Sequence, residues 1–253
     1  MKKTKELTPF DLRETVRAGY AEIALGKRAC CCGSPRSSQA DPARLAEAIG
    51  YDSKSLTNLP EGANMGLSCG NPLAIATLKE GQTVLDLGSG GGFDVFQAGE
   101  KVKTSGRVIG VDMTPEMLGK ARKNIGHYRQ HTGLDNVEFR LGEIEHLPVA
   151  DNSIDVVLSN CVMNLSPDKP QVWREISRVL KPGGTISISD LALLKPLPDN
   201  IREMASARGR GHSGGRNQGH TGKDRLHLHR PDPEAGLRAE HAGLERPSVQ
   251  ANC

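Results

Sequence analysis

The chain has 253 residues and a formal net charge of +3, which allows one domain with extensions or at most two small domains. So small a charge does not indicate a nucleic-acid surface, and no apolar run approaches the roughly 20 residues needed to cross a bilayer. The first ten residues are charged and lack the apolar core of a signal peptide. We therefore expect a cytoplasmic protein without nucleic-acid or membrane partners.

The N-terminal part, residues 1–70, is predicted to be a helical and cysteine-containing segment. An irregular apolar face predicts its first helix, and Asp41 caps its second. A loop rich in Cys, Gly and Ser occupies residues 30–38, and residues 51–70 are expected to be mostly loop. The helices predicted before residue 80 lie at 9–25, 42–49 and 72–78.

From residue 71 to residue 204 the pattern changes to alternating strands and helices. This order predicts an α/β fold, in which a parallel sheet carries helices on both faces. The predicted strands are 83–87, 107–111, 137–141, 154–158 and 185–191. The predicted helices are 93–102, one that begins at Thr114-Pro115, and 169–180, which is followed by a turn at 181–184.

The composition changes again in residues 205–253, which contain no aromatic residue and five of the eight histidines. A stretch without a periodic apolar face cannot bury enough surface to offset chain entropy, so we expect an atypical, disordered tail. The sheet is then expected to lack its final strands.

The abrupt change near residue 205 indicates translation in a shifted reading frame. The hypothesis predicts an intact continuation in another frame around codons 203 to 208. Resequencing the gene tests it, and the absence of such a continuation contradicts it.

A glycine-rich loop follows the first predicted strand, with the spacing Gly88-x-Gly90-x-Gly92. Such a loop lets backbone amides approach a ligand at a helix N-terminus. Phe93 stands where a dinucleotide fingerprint has its last glycine, which argues against the alternative of an NAD-binding domain. Asp112, at the end of the second strand, is placed to bind ribose hydroxyls.

Residues 81–191, including this loop and the Leu180-Lys181-Pro182-Gly183-Gly184 segment, resemble class I S-adenosylmethionine methyltransferases, which share a Rossmann-like sheet. The resemblance implies S-adenosyl-L-methionine as cofactor and assigns contacts to residues that follow four strands. Asp86 with the loop would contact the methionine part, Asp112 and Met113 the ribose and adenine. The implied cofactor-binding residues are Asp86, Gly88, Ser89, Gly90, Gly92, Asp112, Met113, Gly142, Glu143, Ile144, Ser159 and Asn160.

Two further segments, residues 60–72 around Cys69 and residues 159–165 around Cys161, resemble arsenite methyltransferases. The Ser189-Asp190 pair and the run at 195–199 resemble them too. The resemblance implies that Cys69 and Cys161 bind trivalent arsenic, a soft substrate that favours thiolates. The alternative for both cysteines is simple core packing.

Arsenic(III) carries its own lone pair, so methylation needs orientation and exclusion of water rather than a general base. The arsenic is oxidised by each transfer and must be reduced by thiols. Cys31 and Cys32, within the family's N-terminal cysteine region, are candidates for that role together with a thiol reductant of the glutathione or thioredoxin type.

The resemblance ends where family members carry another arsenic-binding cysteine, since residues 205–252 contain none. We therefore expect impaired arsenite methylation. Two alternatives remain open, namely a methyltransferase of a small organic molecule and a non-catalytic remnant that binds cofactor or arsenite.

Overall fold

The computed structural model describes residues 8–27 and 41–191. The loop with Cys31 and Cys32 and the tail at 205–253 lie outside the described residues, so the predictions made for them stay predictions. No helix in the described ranges is long and apolar enough to span a bilayer.

Seven helices and five strands are formed by the described residues. The helices are α1 (Pro9–Ala24), α2 (Pro42–Ala48), α3 (Ser53–Thr57), α4 (Pro72–Ile75), α5 (Phe93–Val102), α6 (Pro115–Thr132) and α7 (Lys169–Val179). The strands are β1 (Thr83–Leu87), β2 (Arg107–Asp112), β3 (Val137–Leu141), β4 (Ile154–Asn160) and β5 (Leu180–Ser189). A single turn of 3-10 helix, Met163–Leu165, follows β4.

All strand pairs are parallel, and the sheet order is β3-β2-β1-β4-β5. The predicted α/β class is thus confirmed. Because the chain order reverses between β1 and β4, the loops that follow these two strands leave a crevice at the carboxyl edge, where such sheets bind ligands.

Both faces of the sheet are buried, because β1 alternates its side chains between two hydrophobic cores. Val84 packs with Phe96 and Tyr128 on the side of α5 and α6. Leu85 and Leu87 pack on the opposite side, where α7 contributes its apolar face. The glycine loop that follows β1 is therefore anchored by a strand that is buried from its second residue to its last.

The segment 51–70 is mostly loop, as predicted, apart from the short helix α3. Two local predictions were wrong. Helix α4 ends at Ile75 rather than at residue 78. The turn at 181–184 is part of β5: Leu180 pairs with Ile154 and Thr185 with Val156, so the four intervening residues bulge beside β4. The Lys181 ammonium holds this bulge by donating to the Asp155 carboxylate at 2.8 and 2.9 Å.

The C-terminal end of α5 is joined to β3 by a buried polar network around Asn136. Its amide donates to Gly99 O at 2.9 Å and to Lys103 O at 2.7 Å, which satisfies two carbonyls at the end of the helix. The Tyr128 hydroxyl donates to Asn136 Oδ1 at 2.8 Å. The side chain of Asn136 therefore forms hydrogen bonds with both α5 and α6, next to the start of β3.

We expect Asn136→Ala to lower the free energy of unfolding by about 2–3 kcal/mol, because it removes three hydrogen bonds in a buried site, two to the carbonyls of Gly99 and Lys103 and one from the Tyr128 hydroxyl. Urea unfolding measures this. The control Asn124→Ala removes a hydrogen bond on the exposed side of α6 and should cost no more than about 0.5 kcal/mol. Equal losses in the two variants would contradict the role given to the network.

Candidate functional site

The glycine loop 88–92 turns sharply between β1 and α5 at the carboxyl edge of the sheet. The backbone amides of Gly88 and Ser89 donate to Val111 O at 2.8 and 3.0 Å, which holds the loop against β2. Gly90 has a φ of 51°, a left-handed conformation that favours glycine. A Cβ at Gly88 would lie 2.6 Å from Val162 Cγ2, so a side chain there would push against the segment after β4.

A cavity opens beside this loop. Its wall combines the carboxyl ends of β1, β2 and β4, the segment after β3, the segment 63–68 and α1. Among the residues predicted to bind cofactor, those that line it are Asp86, Gly88, Ser89, Gly90, Asp112, Met113, Gly142, Ile144 and Asn160. Gly92, Glu143 and Ser159 do not line it, and their cofactor contacts stay predictions.

Gly92 and Ser159 lie outside the cavity wall, and each is enclosed by other parts of the protein. Gly92 is the N-cap of α5, and a Cβ there would lie 2.7 Å from Phe96. Ser159 is fully buried, and its hydroxyl has no hydrogen-bond partner among the described residues. The hydroxyl of Ser89 is likewise buried without a described partner, but Ser89 lines the cavity and can turn its hydroxyl toward a bound ligand.

Glu143 instead connects the wall of the cavity to the N-terminal helix. Its carboxylate lies 3.4 Å from Arg13 Nε and 3.2 Å from Arg17 Nη2, and all three side chains are partly buried. Arg13, with Val16 and Tyr20, places α1 along the cavity. The N-terminal helix therefore contributes a wall to the site.

Four buried carboxylates line the cavity, and those of Asp86, Asp94 and Asp112 lie beside the glycine loop. Burial raises the pKa of Asp86 well above its usual range, and the neighbouring carboxylates of Asp94 and Asp112 raise it further. Burial also raises the pKa of Asp94, although hydrogen bonds from Tyr51 and Asn160 oppose that shift. These carboxylates favour a positively charged ligand, since a cation would offset their mutual repulsion.

Asp112 accepts two backbone hydrogen bonds. Gly90 N donates to its Oδ2 at 2.9 Å and Thr114 N to its Oδ1 at 2.8 Å. Burial raises the pKa of Asp112, while these two hydrogen bonds oppose the shift. The carboxylate is thereby held against the glycine loop, with further acceptor capacity for hydroxyl donors of a ligand.

Asn160 is the centre of a polar network that was not predicted. Its amide donates to Tyr51 Oη at 3.1 Å, to Gly70 O at 3.0 Å and to Asp94 Oδ2 at 3.0 Å. The Tyr51 hydroxyl donates to Asp94 Oδ1 at 2.7 Å, and Cys69 N donates to Asn160 Oδ1 at 3.4 Å. Asn160 thus holds the segment of Cys69 against the strand that carries Cys161.

Cys69 and Cys161, 92 positions apart in sequence, form a disulfide with a Cα–Cα separation of 6.1 Å. Cys161 lines the cavity and has a φ of 58°, a conformation that costs a non-glycine residue about 1–3 kcal/mol. Cys161 N donates to Ser189 O at 2.8 Å. The predicted pair is therefore brought together at the rim of the cavity, beside the end of β5.

Tyr51 and Asp94 are the functional candidates that sequence reasoning missed. A signal for Asp94 was present, since a carboxylate in the first turn of the helix after a glycine loop lies at the ligand edge of the sheet. Tyr51 gave no comparable signal, because its proximity to Asp94 arises from tertiary packing.

The order of the sheet and the cavity at its switch point define a ligand-binding α/β fold, and comparison with known proteins agrees. A family model described as a methyltransferase domain matches residues 78–228. The chain belongs to this methyltransferase domain family.

Two curated relatives are named arsenite methyltransferases. The chain is 48% identical over 202 residues to the one from Halobacterium salinarum and 45% identical over 147 residues to the one from Aquipseudomonas alcaligenes. These matches cover 77% and 57% of this chain but 51% and 42% of the relatives. The chain thus spans about half the length of the curated relatives it matches.

A solved structure, titled an arsenic(III) S-adenosylmethionine methyltransferase from Chlamydomonas reinhardtii, is also similar. Its sequence identity to this chain is 37%, with a TM-score of 0.53. The similarity covers 69% of this chain and 57% of that protein.

We expect Asp86→Asn to stabilise the ligand-free protein by roughly 1 kcal/mol at pH 7. The folded-state pKa of Asp86 is raised. Its contribution to stability is therefore present below the unfolded-state pKa of about 3.9 and is lost as pH rises through the folded-state value. The asparagine avoids that loss, so the gain should vanish toward about pH 4.

Thermal unfolding from acid to neutral pH measures this difference. Asp52→Asn, at an exposed position, is the matched control for the substitution itself. A gain for Asp86→Asn that does not change with pH would contradict the electrostatic origin.

Proposed function

We propose that the chain transfers a methyl group from S-adenosyl-L-methionine to trivalent arsenic bound by Cys69 and Cys161. The observation that carries the proposal is the meeting of these two sulfurs at the rim of the cavity, with Cys161 in its wall. The names of the relatives and of the similar solved structure support the same activity.

The cavity residues fit the cofactor. S-adenosyl-L-methionine, when bound, supplies an electrophilic methyl group on a positively charged sulfur. The buried carboxylates of Asp86, Asp94 and Asp112 match that charge. Asp112 is available to ribose hydroxyls, and the buried hydroxyl of Ser89 would gain a partner. Met113 and Ile144 offer apolar surface to the adenine.

Cys69 and Cys161 are suited to a soft substrate. Thiolates bind soft metals and metalloids well, and the Cα–Cα separation of 6.1 Å between Cys69 and Cys161 places both sulfurs within reach of one arsenic atom. The arsenic lone pair is the nucleophile, so no side chain has to remove a proton from it. The chain's contribution is therefore to hold the arsenic at the cavity rim and to keep water away.

Electron balance requires a thiol reductant. Each accepted methyl group raises the formal oxidation state of arsenic by two, and two thiols return those electrons as they form a disulfide. The disulfide between Cys69 and Cys161 is one oxidised form that a reductant must open before arsenic can bind. A glutathione- or thioredoxin-type thiol and the cysteines Cys31 and Cys32 are proposed for this role, in the reducing cytoplasm.

We expect Cys69→Ser and Cys161→Ser to abolish methylated arsenicals while leaving cofactor affinity within about threefold, because serine lacks the soft donor but keeps the size of the side chain. The assay supplies arsenite, S-adenosyl-L-methionine and glutathione. Chromatography coupled to arsenic mass spectrometry measures the amount of methylated arsenicals. Calorimetry with S-adenosylhomocysteine measures the affinity of the cofactor site.

Thr57→Ala, at the exposed end of α3 and outside the cavity wall, is the control and should retain activity. Substantial arsenic methylation by both cysteine variants would contradict the assigned substrate site. Methylation of a small organic acceptor, unaffected by either serine, would instead favour the alternative methyltransferase function. Cofactor binding without product in the unaltered chain would favour a non-catalytic remnant.

A further inference from the structure

Asp190 lies immediately after β5, next to the two cysteines. One carboxylate oxygen of Asp190 and the sulfurs of Cys69 and Cys161 all lie within 4.8 Å of one another. The three residues are partly buried, and they come from three segments that meet at the carboxyl edge of the sheet. Two soft donors and one hard donor are thus brought together at a single point.

The carboxylate of Asp190 is held in place by the segment after β4. Asn164 N donates to Oδ2 at 3.1 Å, and Asn164 Nδ2 donates to Oδ1 at 2.8 Å. Leu191 N donates to Oδ1 at 2.8 Å. A carboxylate offers about four acceptor positions, and the described residues use three. Asp190 is therefore fixed in orientation but can accept a further hydrogen bond.

Two thiols leave one hydroxyl on arsenite. When the thiols of Cys69 and Cys161 react with As(OH)₃, two As–O bonds break and two As–S bonds form. Each thiol proton leaves with a hydroxide as water, and arsenic stays trivalent. The product keeps one As–OH group, which is a hydrogen-bond donor in need of an acceptor at a partly buried site.

We propose that Asp190 accepts the hydrogen bond of this remaining As–OH group, so that the arsenic site consists of two sulfurs and an oxygen-recognising carboxylate. The inference rests on the proposed function and deepens it. It also adds a specificity: the site favours arsenite over an arsenical whose third substituent is carbon. An arsenical that already carries a methyl group loses this contact and is held by its two sulfurs alone.

The test compares arsenite with phenylarsenous acid, C₆H₅As(OH)₂, which has no hydroxyl left after both sulfurs have bound. The full chain is reduced beforehand and freed of small thiols, and equilibrium dialysis with arsenic mass spectrometry measures both affinities. Asp190→Ala should weaken arsenite binding roughly tenfold to hundredfold, as expected for a hydrogen bond to a charged acceptor. It should leave phenylarsenous acid binding unchanged.

A second variant, Asp190→Asn, keeps an oxygen acceptor for Leu191 N and should show a smaller loss in the same direction. Equal losses for the two arsenicals would assign Asp190 a merely structural role, and no loss for either would also overturn the proposal. Failure of the unaltered, reduced chain to bind either arsenical would overturn the proposed function together with this inference.

Discussion

The side chain of Asn160 makes the contacts on which the geometry of the site depends. It bonds Tyr51 and Gly70 from the N-terminal segment and Asp94 from α5, while its own strand continues into Cys161. Hydrogen bonds to a buried carboxylate are strong, and a partner left unpaired there is costly. The network therefore sets where Cys69 stands relative to Cys161, and it keeps both cysteines beside the cavity rather than in the core.

The buried carboxylates around the cavity are unfavourable for the stability of the ligand-free protein, and they favour binding of a cationic ligand. Burial raises the pKa of Asp86 and of Asp94, and the nearby carboxylates of Asp94 and Asp112 further oppose ionisation of Asp86. The positive φ of Cys161 adds backbone strain at the same edge. Such local costs are typical of functional sites, where stability is lower than the fold alone would allow. The buried strands β1 and β4, with hydrophobic cores on both faces, supply the stability that offsets them.

Much of the sheet could be predicted, because its strands are short apolar runs separated by clear helix starts and turns. The predicted helix starts at Pro42 and Pro115, where a proline follows a capping residue, are confirmed. The bulge in β5 was missed, since a Pro-Gly-Gly run normally ends a strand and only the register with β4 shows that pairing resumes. The meeting of Cys69 with Cys161 followed from family resemblance. Tyr51 needed three-dimensional contacts that no local pattern encodes, and so did the position of Asp190 beside the two cysteines.

In the proposed reaction, one edge of the sheet brings thiolate-bound arsenic to the methyl donor. Arsenic-edge anomalous diffraction from crystals of the reduced chain, grown with arsenite and S-adenosylhomocysteine, locates both groups. We expect a single arsenic peak bonded to the sulfurs of Cys69 and Cys161, beside a cofactor that contacts Asp112 and the glycine loop. An arsenic peak away from these two sulfurs, or a cofactor outside this cavity, would contradict the proposed reaction.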